Sequence, residues 1–317
     1  MTNADVAAIV VNYNTRDHLL RCVASLRAEG VGDVVVVDND SADGSDAALA
    51  GADPAATFLP TGANLGFGRA ANRGVGATTA PLVLILNPDA VVCPGAVAAL
   101  VAALGADPSL AVVGPRVDNP DGSRYPSVRR FPDLGVALGH AFVGLVCPDN
   151  RFSRRYKMLD ADCDRPGDVD WVSGTCLLAR RGAFEAVGGF DEAYFMYVED
   201  VDLCWRLGRA GWRVGYVPEA RVVHTVGASS DLAPYRMIAA HHRSLLRFAG
   251  RTTTGARRAV LPLVAAGLAV RTVLAWAQRA RRGLPHAVEA GGAARRRSPS
   301  PPGAQRAGRG GGRSPVR

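Results

Sequence analysis

The sequence predicts an α/β fold built on a mostly parallel sheet with helices on both faces. Residues 1–115 alternate short, continuous apolar runs with stretches of helical spacing. Runs without polar alternation belong to strands buried on both faces, and a parallel sheet covered by helices provides that burial. The runs end in turns rich in acids and amides, Asp38-Asn39-Asp40-Ser41 and Asn87-Pro88-Asp89. These turns fall at the carboxyl edge, where open α/β sheets bind their ligands.

Each element follows in chain order. Val6–Val11 is a β-branched run that predicts the first strand. His18–Arg27 places Leu19, Leu20, Val23 and Leu26 at helical spacing. Val34–Val37 and Leu82–Leu86 predict two more strands, whereas Phe58-Leu59-Pro60-Thr61 reads poorly as a central strand. Pro94–Leu104 is a helix with proline in its first turn. Ala111–Val113 is a further strand. Residues 116–170 are polar, rich in Pro and Gly, and predict long loops, an acceptor-side lid among them. Trp171–Ala179 again reads as a strand, a helix begins near Glu199, and Arg213–Val217 and Arg221–His224 are short strands.

The net charge of +8 is unevenly placed. Residues 251–317 carry a net +13, and residues 1–250 a net −5. The body is therefore no basic platform for nucleic acid. The six cysteines are scattered without a Cys-x-x-Cys pair, which argues against a zinc site. No basic-then-apolar leader precedes the first strand, so a reducing cytosolic compartment is expected.

The densest chemistry lies in Phe195-Met-Tyr-Val-Glu-Asp-Val-Asp-Leu-Cys-Trp-Arg206. A helix starting near Glu199 buries Val201, Cys204 and Trp205 and presents Glu199, Asp200 and Asp202 at its N-terminal turn, where the helix dipole favours negative charge. Asp202 and Arg206 also have the spacing of an ordinary i,i+4 pair. Asp38, closing an apolar strand, is either a turn residue or an acceptor for a nucleobase or ribose. Gly66-x-Gly68-x-x-Ala71 has the spacing of a dinucleotide fingerprint but does not follow the first strand. The other reading is a glycine loop beside a nucleotide diphosphate, with Asn64, Arg69 and Asn72 as polar contacts. Asp89 and His224, at two strand ends, could share a divalent cation, and imidazole suits Mn²⁺ better than Mg²⁺. Gly174, within the Trp171 segment, marks close approach of a ligand or of another backbone.

Taken together, Asn12-Tyr-Asn14, Asn64-Leu-Gly-Phe-Gly68, Leu86-Asn-Pro-Asp89 and Tyr197-Val-Glu-Asp-Val-Asp-Leu-Cys-Trp-Arg206 resemble glycosyltransferase family 2 with the GT-A fold, from about Val6 to Val226. The resemblance is nearest to bacterial rhamnosyltransferases that extend lipid-linked cell-wall or O-antigen precursors. It implies inverting transfer from a nucleoside-diphosphate sugar, with dTDP-rhamnose the expected donor, to a polyprenyl-diphosphate-linked saccharide. It makes Asp200 the catalytic base, with Glu199 beside it. It places Asp38 at the nucleobase or ribose, and the reading of the residues themselves adds Asn64, Gly66, Arg69, Asn72, Trp171, Gly174 and Asp202 as substrate-binding candidates. Its Asp-x-Asp metal motif falls on Asn87-Pro-Asp89, so Mn²⁺ or Mg²⁺ would rest on Asp89 and His224.

The expected domains are a catalytic domain over 1–250, a basic amphipathic helix over 251–282 and a disordered Arg/Pro/Gly-rich tail over 283–317. Residues 259–278 are apolar and flanked by arginines, but Pro262, Gly267 and Arg271 interrupt them. An interfacial helix on an anionic membrane surface is preferred to a spanning one. The expected location is thus cytoplasmic, peripheral on the inner face of the cell membrane. Rival readings are an NAD(P)-dependent oxidoreductase using the glycine fingerprint, a nucleotidyltransferase, and a non-catalytic nucleotide-binding protein.

Overall fold

A computed structural model of the chain describes residues 1–131, 165–225 and 233–283, together with Cys147, Asn150, Arg151 and Arg154. The expected lid and tail lie largely or wholly outside the described residues. Residues 1–277 form one compact unit. Of 278–317, only the final helical residues are described.

The first half follows the expected alternation. β1 (Val6–Asn12), β2 (Asp33–Asp38) and β4 (Leu82–Leu86) are parallel neighbours, with β3 (Thr57–Pro60) at the edge beside β2. All seven residues of β1 and all five of β4 are buried, as continuous apolar runs require. α1 (Arg16–Ala28) and α4 (Ala96–Ala106) pack into one core cluster. α3 (Phe67–Gly76) contributes to the cluster on the other face. α2 (Ser45–Ala52), which the sequence reading passed over, is short and mostly alanine and glycine.

Beyond β4 the sheet becomes mixed. Its main order is β3-β2-β1-β4-β11-β6-β12-β5, with β11 (Cys176–Arg180) antiparallel to both β4 and β6 (Leu110–Asp118). β12 (Arg213–His224) runs parallel to β6 with register shifts, joining the two strands expected separately. β12 also pairs antiparallel with β5 (Ala90–Val92), which brings His224 opposite Ala90. β7 (Arg124–Tyr125) and β9 (Gly167–Val169) extend the sheet off β6 and β12. The run expected as one strand over Trp171–Ala179 is broken. β10 (Trp171–Val172) pairs with β8 (Val128–Arg129), and the chain turns through Gly174 before β11.

α5 (Arg181–Ala186) leads to a loop and then to α6 (Glu199–Arg209), which buries Val201, Leu203, Cys204 and Leu207, with Trp205 half-buried. Two C-terminal helices follow. α7 (Pro234–Thr252) has Leu245 and Phe248 against the core, and the expected boundary at 250/251 falls inside this helix. α8 (Leu261–Gly283) places Leu263, Val270, Val273, Leu274 and Trp276 at the surface. His242 bonds Thr272, and the Trp276 indole N–H donates to the Tyr235 carbonyl, so α7 and α8 pack side by side within residues 1–277.

Candidate active site

The site lies at the carboxyl ends of β1, β2 and β4, where the alternation placed it. Asp38 ends β2 and is buried. Its carboxylate accepts from Asn12 Nδ2 at 2.7 Å, Ser41 N–H at 2.8 Å and Ser41 Oγ at 2.6 Å. A carboxylate has about four acceptor positions, so the turn leaves Asp38 room for one more donor. Asn39 ties this strand end to the glycine loop, donating to the Gly66 carbonyl at 3.2 Å.

The glycine loop is fitted to protein. A Cβ on Gly66 would lie 2.0 Å from the Phe195 carbonyl oxygen, and the Phe67 N–H donates to that oxygen at 3.0 Å. A Cβ on Gly68 would lie 3.0 Å from Phe190 Cβ and 3.6 Å from Glu199 Cβ. These glycines admit the segment that carries the acids, and this removes the basis of the oxidoreductase reading. The polar residues expected around the loop are engaged internally. Exposed Asn64 caps its own turn through the Gly66 N–H, and Arg69 pairs with Glu192 at 3.0 Å. Asn72 is the most fully engaged of the three. Its amide donates to the Phe190 carbonyl and accepts from the Phe190 N–H, each at 2.9 Å, so it pins α3 to the loop after α5.

The acidic turn is strained. Tyr197 and Val198 adopt φ of +67° and +71°, the left-handed region that a β-branched residue rarely enters. Such residues cost on the order of 1–3 kcal/mol each and persist where surroundings over-determine them. Glu199 and Asp200 follow directly. The half-buried Asp200 accepts from the Gly174 N–H through Oδ2 and from the Val201 N–H through Oδ1, each at 2.8 Å. The break in the Trp171 segment therefore serves the acid: Gly174 backs onto Asp200. Burial raises the Asp200 pKa, and these two N–H donors and the Arg129 charge oppose that rise. Burial also pushes Glu199 up, with the Asp200 charge adding to it. Glu199 Oε2 is buried without a hydrogen-bond partner among the described residues. Asp202 differs from its neighbours. It is fully buried, takes Arg206 at 2.7 Å and Arg251 at 3.1 Å, and accepts from the Tyr194 hydroxyl. The i,i+4 pair forms, and Asp202 is engaged by two arginines.

Buried Trp171 lies under the Arg129 guanidinium, and its indole N–H is without a partner among the described residues.

Asp89 and His224 do meet. His224 Nε2 lies 3.0 Å from Asp89 Oδ1 and 3.3 Å from Asn87 Nδ2, with both acid and imidazole buried. One ring nitrogen cannot donate to the carboxylate and accept from the amide at once. With Nε2 unprotonated, its lone pair and the Asp89 carboxylate could both point at one divalent ion, and this donor set fits one. Among the described residues no group of three or more His, Cys, Asp or Glu could hold one, so any ion here completes its shell with substrate or water. Asn87 N–H donates to the Thr175 carbonyl at 3.0 Å, which joins this pair through one residue to Gly174 and Asp200.

A relative from Mycobacterium tuberculosis, N-acetylglucosaminyl-diphospho-decaprenol L-rhamnosyltransferase, is 41% identical over 88% of this chain and 95% of its own length. The Rhamnosyltransferase WbbL of Escherichia coli is 39% identical over 31% of this chain and 34% of its own. Among solved structures, the mannosyltransferase PcManGT of Pyrobaculum calidifontis, in complex with GDP-Man and Mn²⁺, superposes with a TM-score of 0.55 at 19% identity, covering 89% of this chain and 81% of that one. That likeness bears on the GT-A fold. The family model described as "Glycosyltransferase like family 2" matches residues 3–243, and the chain belongs to that family.

Proposed function

We propose that the protein is an inverting rhamnosyltransferase that moves L-rhamnose from dTDP-rhamnose to a polyprenyl-diphosphate-linked N-acetylglucosamine. The observation that carries this reading is the 41% identity to the decaprenol-linked enzyme across nearly the whole of both chains. Inversion is a single displacement at the anomeric carbon. Asp200 takes the proton of the acceptor hydroxyl as its oxygen attacks and the bond to the diphosphate breaks. Its two backbone donors fix the carboxylate's orientation, and its raised pKa makes it a better proton acceptor. Glu199 is buried beside it, and burial together with the Asp200 charge raises the Glu199 pKa. Asp38 accepts from the nucleobase or ribose with its remaining position. The unpartnered Trp171 indole N–H and the Gly174 turn line the sugar side. Asp89 and His224 would hold a divalent cation, Mn²⁺ in preference to Mg²⁺, which would supply positive charge for the leaving diphosphate.

A lipid-linked acceptor calls for a membrane-facing element, and α8 supplies one. Within the helical stretch Gly255–Ala280 an 18-residue window reaches a mean hydropathy of 1.8, so the stretch is long and apolar enough to cross a membrane by length and composition. Its exposed Leu263, Val270, Val273, Leu274 and Trp276 form a broad apolar side covering about half of the helix circumference, with exposed Arg257, Arg258 and Arg279 towards its ends. This favours a helix lying in the interface of the cytoplasmic leaflet, with its arginines on anionic headgroups. The catalytic body then runs to residue 252, the interfacial segment to 282, and the tail beyond.

The test is transfer from dTDP-rhamnose to a short-chain polyprenyl-diphosphate N-acetylglucosamine, with dTDP-glucose, UDP- and GDP-sugars as competing donors. Rhamnosylated product of inverted anomeric configuration is expected. It should vanish with a chelator and return with Mn²⁺ more readily than with Mg²⁺. Preferential use of another sugar removes the rhamnose assignment, retention removes the single displacement, and indifference to chelation removes the cation.

A further inference from the structure

We propose that α7 positions the catalytic turn, with Arg251 as the principal positioning residue: by binding Asp191 and Asp202 together it holds the strained Phe195–Val198 turn that aims Glu199 and Asp200. This rests on the reading of Asp200 as base.

Arg251 Nη1 lies 2.7 Å from Asp191 Oδ2 and 3.1 Å from Asp202 Oδ1. One guanidinium thus ties a residue well before the base to one just after it. Between those anchors the same helix makes further contacts. Ser244 Oγ donates to the Met196 carbonyl at 3.0 Å, and the His241 ring meets the Tyr197 ring edge-on with centroids 5.3 Å apart. Arg247 reaches Asp191 at 3.0 Å and lies over the Tyr194 ring at 5.3 Å. Residues 241, 244, 247 and 251 recur at helical spacing, so one stripe of α7 grips the segment from Asp191 to Asp202. On the opposite side, the Gly66 loop holds Phe195 through the Phe67 N–H. Two adjacent non-glycine residues at positive φ are thereby caught between α3 and α7. A turn of that kind relaxes when its supports are removed.

The clamp is placed to act locally. The Arg251 side chain is 37% exposed and that of Asp191 20%, so this pair adds little to global stability, whereas the second partner, Asp202, is fully buried. Leu245 and Phe248 already seat α7 on the core. Loss of Arg251 leaves Asp202 paired with Arg206, so no buried charge is orphaned. A change confined to the turn still matters, because misplacing a reacting group by about 1 Å can cost roughly 100-fold in rate.

The test compares full-length Arg251→Met, Arg251→Lys and Ser244→Ala with wild type. Four quantities are read: kcat and KM for rhamnosyl transfer, calorimetric Kd for the donor, Tm, and amide hydrogen exchange over residues 195–203. Arg251→Met should lower kcat about 10- to 100-fold while donor Kd and Tm stay close to wild type. Arg251→Lys should recover part of the loss, and Ser244→Ala should show a smaller one. The acid limb of the kcat profile should move to lower pH, because a loosened Asp200 gains water. The charged and titratable groups that act on Asp200 and its surroundings, Glu199, Arg129 and Cys204, are unchanged in these variants. Exchange over residues 195–203 should quicken in Arg251→Met. Unchanged kcat overturns the proposal, as does a loss matched by weaker donor binding and lower Tm without lysine rescue. The exchange measurement needs no substrate. If wild type fails to transfer rhamnose, the functional reading falls, and the clamp still stands or falls on whether exchange in the turn changes.

Discussion

A carboxylate that accepts two backbone N–H bonds is ordinarily a stronger acid than a free one, yet Asp200 is pushed upward because burial outweighs both donors. A base must be deprotonated to work, so activity should fall as pH drops through this raised value, above the ordinary aspartate range. Asp200→Asn should lower kcat about 10²- to 10⁴-fold, measured by product formation, while donor Kd changes little. The asparagine amide also sets an N–H₂ against one of two N–H donors, so a small loss of Tm should accompany the catalytic loss. Glu199 answers to pH through stability. Its folded-state pKa is raised, first by burial and then by the Asp200 charge. The stability it contributes is complete below the ordinary glutamate range and is lost as pH rises through the raised value. Glu199→Gln does not ionise. The difference in Tm between this variant and wild type should therefore shift in the variant's favour from pH 5 to pH 8.5. A difference independent of pH would show that Glu199 does not titrate in that window.

At the scale of elements, close fitting of backbone matters more than any one side chain. The β3–α3 loop and the acidic turn touch through Gly66 at φ +84°, where a Cβ would sit 2.0 Å from the Phe195 oxygen. Backbone must move to admit one, so Gly66→Ala should destabilise by about 1–3 kcal/mol, seen as a lowered Tm. It should also reduce kcat by displacing the turn ahead of Glu199. This contact explains how far the sequence could be read. Strands such as Val34–Val37 and Leu82–Leu86 were legible because burial on both faces leaves an uninterrupted β-branched and apolar signature. The edge strand β3 carries no such signature, since two of its four residues are exposed. The strand expected over Trp171–Ala179 hid a turn, because only the glycine marks where the backbone meets Asp200. Asp202 and Asn72 looked like ligand contacts because a polar side chain in a motif does not announce its partner. Their partners are Arg251 and Phe190, remote in sequence. α7 was missed for a related reason: the stripe it turns towards the acidic segment carries histidine, serine and arginine rather than apolar residues. Asp89 and His224 were paired from their places at two strand ends, and the antiparallel β5–β12 pairing brings them together.

For the molecule as a whole, the two C-terminal helices divide the work differently. α7 is fixed to the body by Leu245, Phe248 and its arginines, while the long apolar side chains of α8 stand at the surface between basic ends. The body's net charge of −5 offers nothing to an anionic leaflet, whereas residues 251–317 carry +13. Each basic residue near such a surface contributes roughly 1 kcal/mol, and that attraction weakens with salt while apolar burial does not. A chain ending at Thr254 keeps α7 whole, with Arg251 on Asp191 and Asp202. It loses the Thr272 and Trp276 contacts with α7, whose partners His242 and Tyr235 then meet water. It should fold with a modestly lowered Tm and retain transfer to a soluble acceptor analogue. Co-sedimentation with anionic vesicles should be lost, and turnover of a long-chain polyprenyl acceptor in those vesicles should fall. The full-length protein should release only in part at high salt, because Leu263, Val270 and Leu274 remain buried in the interface after the arginines are screened. Complete release of the full chain by salt would reduce α8 to an electrostatic tether. Undiminished sedimentation of the shortened chain would move the membrane-binding surface onto the catalytic body. Failure of that chain to fold would make α8 part of the core architecture rather than an appended anchor.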